Sequence, residues 1–236
     1  SLALTAGGAV WSWGGGGFGK LGHGNYLSQW QPKKVEAFAG QRVTAVSAGS
    51  YHSLALTAGG AVWSWGGGGE GKLGHGDQQH QLLPKKIEAF AGRRVISVLA
   101  GAVYSFASTA DGAVWSWGQG GFGKLGHGDR QTQLLLKKIE AFAGQRVVAV
   151  SAGAHHNLAI TADGAVWSWG MGYSGRLGHG DAGQRVVAVS AGAHHNLAIT
   201  ADGAVWSWGQ GGGRLGHGEQ QHQLLPKKVE AFAGQR

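Results

Sequence analysis

Histidine is the residue type in this sequence best suited to metal binding or proton transfer. One set occurs once per repeat, in the motif Leu-Gly-His-Gly: His23, His75, His127, His179 and His217. A metal site needs three or four ligands converging within about 2–2.3 Å of the ion. Equivalent histidines on separate repeats lie apart, and adjacent histidines in a strand, such as His155 and His156, point to opposite faces. We therefore predict no metal site and no cofactor, and we expect the motif histidines to brace their loops by hydrogen bonds.

A glycine-rich stretch, VWSWGGGGFGKLGHG (residues 10–24), contains the Gly-x-Gly-x-x-Gly spacing of a dinucleotide-binding loop at Gly14, Gly16 and Gly19. Such a loop binds phosphate where it joins a strand to the N-terminus of a helix. No apolar period of 3.6 residues follows the glycines, so no helix is predicted there. We interpret the stretch as a loop between two strands rather than a phosphate site.

Tryptophan pairs in the motif VWSWG could stack on nucleic-acid bases or form part of a core. The two rings of a pair are two residues apart and so project from the same face of a strand. Because large aromatic side chains dominate the energetics of β cores, we predict that the pairs form an inter-repeat core. Trp30 lies outside the motif and is the more plausible exposed ring. The pairs are Trp11 and Trp13, Trp63 and Trp65, Trp115 and Trp117, Trp167 and Trp169, and Trp206 and Trp208.

The secondary-structure elements that position these residues can be inferred from a repeat that occupies essentially the whole chain. VWSWG begins at residues 10, 62, 114, 166 and 205, with three steps of 52 residues and a last step of 39. The fourth unit lacks the segment that reads QLLPKKIEAF at residues 81–90. Residues 143–170 and 182–209 are identical. We divide residues 1–236, as one repeat domain, into units of about 1–42, 43–94, 95–146, 147–185 and 186–236.

Each full unit contains four strand-like pieces separated by turn signals, which is typical of a β-propeller blade. VTAVSAG (residues 43–49) is built from small residues, as expected for the strand nearest the axis. The lysines and proline of the last piece protect an outer edge. We predict an all-β propeller of about five four-stranded blades, in which the first blade lacks its inner strand and the fourth its outer strand. We favour a ring or near-ring of these five blades, with an arc of a seven-bladed propeller as the alternative.

The composition excludes several classes of site. The 236 residues include 47 glycines, 11 tryptophans and no cysteine, so disulfides, thiolate catalysis and cysteine-bound zinc are excluded. No apolar run is long enough to span a membrane. The net charge of +8 favours nucleic acid or an acidic protein as partner, or serves solubility. We expect an intracellular location, cytoplasmic or nuclear, rather than secretion.

The residues SAGSYHSLALTAGGAVWSWG (47–66) followed by GKLGHG (71–76) resemble the regulator of chromosome condensation repeat family. The resemblance implies a propeller, usually of seven blades, and in exchange-factor members a face that engages a small Ran-type GTPase through loop histidines and acidic residues. It also implies that the partner-binding residues lie in the Gly-x-x-His loops. These candidates are Ser50, Tyr51, His52, Val103, Tyr104, His155, His156, His194 and His195.

Two departures from the family pattern bear on function. The loops carry no acidic residue between glycine and histidine, and no unit has an inserted wedge. None of them has the Gly-Trp-Arg-His-Thr form that the resemblance links to light sensing in a plant member. We predict a non-enzymatic protein–protein interaction scaffold, with a small-GTPase exchange factor or a chromatin- or DNA-binding propeller as alternatives. No catalytic residue, membrane partner or small-molecule substrate is expected.

A basic rim is the feature that favours the nucleic-acid alternative. Paired lysines recur in the outer pieces, and each pair is followed by a glutamate two residues later. Phosphate binding requires positive charge concentrated on one face, whereas these pairs are spread around a rim. The pairs are Lys33–Lys34, Lys85–Lys86, Lys137–Lys138 and Lys227–Lys228.

Overall fold

The computed structural model describes residues 1–179 and 185–232, which form eighteen β-strands and no α-helix. The strands are β1 (Leu2–Leu4), β2 (Val10–Gly14), β3 (Gln29–Lys34), β4 (Val43–Ala48), β5 (His52–Thr57), β6 (Val62–Gly66), β7 (Gln81–Lys86), β8 (Val95–Ala100), β9 (Tyr104–Thr109), β10 (Val114–Gly118), β11 (Gln133–Lys138), β12 (Val147–Ala152), β13 (His156–Thr161), β14 (Val166–Gly170), β15 (Val186–Ala191), β16 (His195–Thr200), β17 (Val205–Gly209) and β18 (Gln223–Lys228). Short 3₁₀ turns occur at Gly17–Gly19, Glu36–Phe38, Gly69–Gly71, Glu88–Phe90, Gly121–Gly123, Glu140–Phe142, Tyr173–Gly175 and Glu230–Phe232.

Consecutive strands pair antiparallel to form five separate sheets, each of which is one propeller blade. Blades 2, 3 and 5 have four strands (β4–β7, β8–β11 and β15–β18). Blade 1 (β1–β3) and blade 4 (β12–β14) have three within the described ranges. The all-β propeller and its two incomplete blades are confirmed.

The pairing between the last two strands of a complete blade contains a shift in register. In blade 2, Ser64 is paired with Lys85 and Gly66 with Gln81, so that the register shifts between Ser64 and Gly66. Gly66 has a φ of +105°, and a Cβ there would lie 2.6 Å from the carbonyl oxygen of Tyr51. Only glycine fits this close approach, and Gly118, Gly170 and Gly209 meet the equivalent loop backbone in blades 3, 4 and 5.

Tryptophan and phenylalanine side chains form the packing between blades. Trp65 and Trp117 are completely buried. The ring of Phe38 in blade 1 makes edge-to-face contacts with Trp63 and Trp65 of blade 2, with centroids 5.7 and 5.8 Å apart. Phe90 and Phe142 make the same contacts one and two blades later. The tryptophan pairs of blades 2, 3 and 4 therefore face the preceding blade, where their partner is the phenylalanine of the outer segment.

The inner strands converge on the propeller axis. Their last residues line a central opening of about 420 Å³ at positions 48–50, 100–102, 152–154 and 191–193. Neighbouring inner strands are hydrogen-bonded, since Ser47 Oγ accepts from the backbone N–H of Ala100 and Ser151 Oγ from that of Ala191, both at 2.9 Å. Alanine, serine and glycine are required here because the backbones lie close together.

The five blades form an open arc rather than a closed ring. Leu158 and Ile160 of blade 4 are 0% and 2% exposed beneath blade 5, whereas their counterparts Leu197 and Ile199 in blade 5 are 38% and 42% exposed. At the other end, Trp13 is half-buried while its counterpart Trp65 is completely buried. The expected ring or near-ring is therefore wrong, and the arc that was its alternative is what the structure shows, because nothing in the described residues covers the outer face of blade 5.

Candidate partner-binding face

In blades 2, 3 and 4, the third residue after the glycine of the Gly-x-x-His loop links its blade to the next one. His52 Nε2 lies 2.8 Å from Ser105 Oγ, and His156 Nε2 donates to Asn196 Oδ1 at 2.7 Å. The Tyr104 hydroxyl lies 2.7 Å from the carbonyl oxygen of Gly153. These three side chains cross from blades 2, 3 and 4 to the following blade.

The receiving side chains extend this chain of contacts back to the preceding blade. Ser105 Oγ donates to the carbonyl oxygen of Lys72 at 2.9 Å, and Asn196 Nδ2 donates to that of Arg176 at 2.7 Å. One ring nitrogen of each histidine is thus hydrogen-bonded, whereas His52 Nδ1 and His156 Nδ1 are buried without a partner among the described residues. The histidines belong to the structural network between blades.

This arrangement corrects the prediction that His52, Tyr104 and His156 contact a partner directly. All three are 0% exposed, because the next blade covers them. The other candidate residues of the same loops remain accessible in whole or in part. Ser50 and Tyr51 are exposed, and Val103, His155, His194 and His195 are half-buried.

Burial keeps the linking groups neutral at physiological pH. Burial, reinforced by the Lys72 ammonium, lowers the pKa of His52 to about 3. Burial also lowers the pKa of His156 and raises that of the Tyr104 phenol. The charged form of any of these groups would be poorly solvated, because the protein interior does not replace the water that stabilises a charge in solution. Neutral hydrogen bonds therefore hold the blades together.

A cationic side chain lies beside each of these loops, at one position of the Gly-Lys/Arg-Leu-Gly motif. Lys124 is 0% exposed, its ammonium hydrogen-bonded to Gln119 Oε1 at 2.5 Å and 5.4 Å from the Tyr104 ring. The Arg176 guanidinium, also buried, lies 3.2 Å from His194 Nδ1. Burial lowers the pKa of Lys72, Lys124 and Arg176. The series comprises Lys20, Lys72, Lys124, Arg176 and Arg214.

Aromatic rings form the outer rim of the same surface. Phe18 and Phe122 are 44% and 50% exposed, and each has a left-handed backbone with φ near +63°. Phe18 contacts Tyr51, and Phe122 contacts His155, at centroid distances of 5.6 and 5.5 Å. Positive φ in a non-glycine residue is strained and occurs preferentially at functional sites. We call this surface the loop face: residues 49–52, 101–104, 153–156 and 192–195 with the adjacent loops 17–20, 69–72, 121–124 and 173–176.

The glycine-rich loops are the part of this face that sequence reasoning missed. From the sequence, we interpreted these loops only as connections between strands. That interpretation gave no role to the lysine or arginine of Gly-x-Gly-Lys/Arg, or to the residue between its two glycines. The available signal was the recurrence of a lysine or arginine in every repeat, while the residue between the glycines varies among Phe18, Glu70, Phe122 and Ser174. Glu70 places a carboxylate on the loop face of blade 2.

The Leu-Gly-His-Gly histidines bind a serine hydroxyl of their own blade. His75 Nε2 lies 2.9 Å from Ser64 Oγ, which itself donates to the carbonyl oxygen of Leu73 at 2.7 Å. His23, His127 and His217 repeat this contact with Ser12, Ser116 and Ser207. The partner is the serine of VWSWG rather than the loop backbone. No cluster of three potential metal ligands occurs in the part of the chain that the structure describes.

The basic rim is partly neutralised by carboxylates. Lys34, Lys86 and Lys138 form ion pairs with the glutamates two residues later, at 3.1–3.7 Å. Lys137 and Lys227 pair with Asp129 and Glu219. All of these pairs are exposed, so each adds about 0–1 kcal/mol to stability. Trp30, expected to be an exposed ring, is 95% exposed beside this rim.

Comparisons with known proteins identify the repeat. The model of the RCC1-like domain matches residues 1–187, and models of the regulator of chromosome condensation (RCC1) repeat match residues 186–213 and 202–236. The human E3 ubiquitin-protein ligase HERC2 is 44% identical over 182 residues, which are 76% of this chain and 4% of HERC2. The ultraviolet-B receptor UVR8 of Arabidopsis thaliana is 41% identical over 172 residues, 73% of this chain and 39% of UVR8.

Two solved structures superimpose on nearly the whole chain. Human WBSCR16 has a TM-score of 0.84 at 27% identity, covering 97% of this chain and 64% of its own. Prp20p of Saccharomyces cerevisiae, described together with its binding to Gsp1p and histones, has a TM-score of 0.85 at 25% identity, covering 99% and 62%. The chain therefore spans less than two thirds of the length of each of these relatives. Within the described residues, no helix is long and apolar enough to cross a membrane.

Proposed function

Because the chain belongs to the regulator of chromosome condensation (RCC1) repeat family, we propose that it is a non-enzymatic interaction scaffold that binds a protein partner through the loop face. The observation that carries this proposal is the series of cations beneath that face. Buried charges are normally paired with an opposite charge. The five ion pairs of the described residues lie elsewhere, and none of them involves Lys72, Lys124 or Arg176. Glu70 attracts Lys72 and Lys124 without forming an ion pair with either, so one carboxylate faces two buried ammonium groups.

The chemistry of the loop face favours an acidic surface on the partner. Desolvated cations produce a strong local potential because little water screens them. The exposed rings of Phe18, Tyr51 and Phe122 supply apolar contact area around the charges. Aromatic and cationic side chains in this combination are enriched in the energetically dominant parts of protein interfaces. We propose an intracellular partner, in the cytoplasm or nucleus.

We propose a small GTPase as the partner. Catalysis of nucleotide exchange on that GTPase is the alternative to a scaffold function. Prp20p is described as binding Gsp1p and histones. A cationic loop face fits an acidic partner better than histones, which are basic proteins. The accessible positions for such a contact are the exposed Tyr51 and the half-buried His155 and His194, because His156 is occupied by its contact with Asn196.

Binding and nucleotide release from a purified Ran-type GTPase test these functions together. We expect GTPase binding that weakens as salt rises, no comparable binding of a purified core-histone dimer, and no strong acceleration of labelled-nucleotide release. Strong acceleration that is lost in the variant His155→Ala, His194→Ala would replace the scaffold by an exchange factor. Preferential binding of histones would contradict an acidic partner.

A further inference from the structure

Among the described residues, nothing fills a groove at the outer edge of blade 4. In blades 1, 2, 3 and 5 an outer segment follows the pattern QLLPKKIEAF, at residues 29–38, 81–90, 133–142 and 223–232. In the described part of blade 4, β14 is the last strand of the sheet. A cavity of about 560 Å³ lies there, between blades 4 and 5, and is lined by Val166, Trp167, Val186, Trp206, Trp208 and Pro226. Its volume is within the range of about 300–1,000 Å³ that is common for ligand pockets.

The complete blades show what occupies this position. In blade 2 the backbone N–H of Ile87 donates to the carbonyl oxygen of Val62 at 2.8 Å. The Ile87 side chain is buried, and Phe90 packs against Trp117 of the next blade at 5.8 Å. The outer segment thus contributes a strand edge, one aliphatic side chain and one phenylalanine. Blades 1 and 3 repeat these contacts through Val35 and Phe38, and through Ile139 and Phe142.

The corresponding groups of blade 4 remain accessible. Val166, the counterpart of Val62, is 38% exposed whereas Val62 is 0% exposed. Trp167 is 36% exposed. Within residues 1–179 and 185–232, blade 4 therefore combines a strand edge that pairs with no other strand and an apolar cavity.

We propose that the outer edge of blade 4 binds an extended peptide segment of another polypeptide by strand addition. The segment pairs antiparallel with β14 and carries an aliphatic residue followed three positions later by phenylalanine. Its backbone N–H at the aliphatic residue donates to the carbonyl oxygen of Val166, and its two apolar side chains enter the cavity. Main-chain hydrogen bonds supply affinity in strand addition, and side-chain pockets supply specificity. Blades 1, 2 and 3 of this chain display the complete interface within the molecule, and blade 5 repeats its edge hydrogen bond from Val229 to Val205. These blades define the chemistry of the occupant.

A synthetic peptide with the sequence of residues 81–90 tests the proposal, with binding followed through tryptophan emission. We expect saturable binding that weakens at least tenfold when the peptide isoleucine and phenylalanine are both replaced by serine. In the protein, Val166→Arg should weaken binding at least tenfold. The matched variant Val148→Arg, at a 56% exposed position of the same blade, should leave binding within twofold. Inserting residues 133–142 after His179 should abolish binding, because the groove is then filled.

Several outcomes would overturn the proposal. These are absence of peptide binding, equal binding of the serine-substituted peptide, or unchanged binding to Val166→Arg. Binding of an apolar dye without peptide binding would make the cavity a small-molecule site instead. None of these outcomes depends on the loop face, so the two proposals fail independently.

Discussion

The hydroxyl of Tyr104 lies 2.8 Å from the side-chain oxygen of Asn157 on the next blade, although the two residues are 53 positions apart. Both side chains are completely buried. This contact takes the place of the histidine contacts in the neighbouring blades. The loop position that the family pattern assigns to histidine therefore serves to hold successive blades together, whichever side chain fills it.

Replacing Tyr104 by phenylalanine removes this link while keeping the ring. We expect the free energy of unfolding to fall by about 1–3 kcal/mol, because Asn157 Oδ1 loses its donor in a buried site. Denaturant unfolding measures the change. Tyr51→Phe is the matched control, since Tyr51 is exposed and its variant should change stability by less than about 0.5 kcal/mol. Equal effects of the two variants would contradict the structural role of Tyr104.

The pH dependence of stability should report His52. Its pKa is about 3 in the folded chain, below the ordinary histidine value of 6.5, so the unfolded state binds more protons between these values. The stabilising contribution is complete above pH 6.5 and is lost as the pH falls towards 3. At about 1.36 kcal/mol per unit, about 2 kcal/mol should be lost between about pH 7.5 and pH 5.

A double variant isolates this contribution. His52→Tyr with Ser105→Asn transplants the Tyr104–Asn157 pair into the preceding interface. Unfolding free energies at about pH 7.5 and pH 5 should then differ much less than in the unmodified chain, because no histidine titrates at that position. A decline as steep as in the unmodified chain would assign the pH dependence to other groups.

The open arc predicts unequal roles for equivalent phenylalanines. Phe38 is buried against Trp63 and Trp65, whereas Phe232, at the same place in the last blade, is 52% exposed. Phe38→Ala should lower the free energy of unfolding by about 3–5 kcal/mol. Phe232→Ala should cost less than about 1 kcal/mol. Similar losses in denaturant unfolding would show that another blade covers Phe232.

We expect Lys124 to strengthen GTPase binding and to lower the free energy of unfolding. It is fully buried, and burial lowers its pKa, so an apolar side chain of similar length removes a desolvation cost. Lys124→Met should leave the free energy of unfolding unchanged or higher while weakening GTPase binding. Lys85→Met, at an exposed outer position, should change neither. A loss of more than about 1 kcal/mol in Lys124→Met would assign Lys124 a structural role.

The architecture could be predicted from the sequence because each blade repeats a local pattern. The 52-residue spacing, the alternating strands and the missing segment in the fourth unit together predicted five blades and their two defects. Ring closure could not be predicted, because it depends on how blade 5 meets blade 1, and no local pattern encodes that contact. The exposure of Leu197 and Ile199 settles it.

The candidate site was only partly predictable for a different reason. The sequence locates the Gly-x-x-His loops, but it does not show whether the next blade buries the side chains of His52 and Tyr104 or leaves them accessible. The burial of Lys124 likewise depends on Gln119 and Tyr104 closing around its ammonium. Such groups become recognisable as a site once two neighbouring blades are assembled.

The central claim is that the loop face, and not the outer rim, recognises the partner. The most direct test compares the affinity of a purified Ran-type GTPase for two variants of this chain. Tyr51→Asp with Phe122→Asp places negative charge on the loop face, and Trp30→Asp places it on the rim at a 95% exposed position. We predict at least a tenfold weaker affinity for the first variant and an unchanged affinity for the second. Equal affinities, or a loss confined to Trp30→Asp, would contradict the assignment of the loop face as the recognition surface.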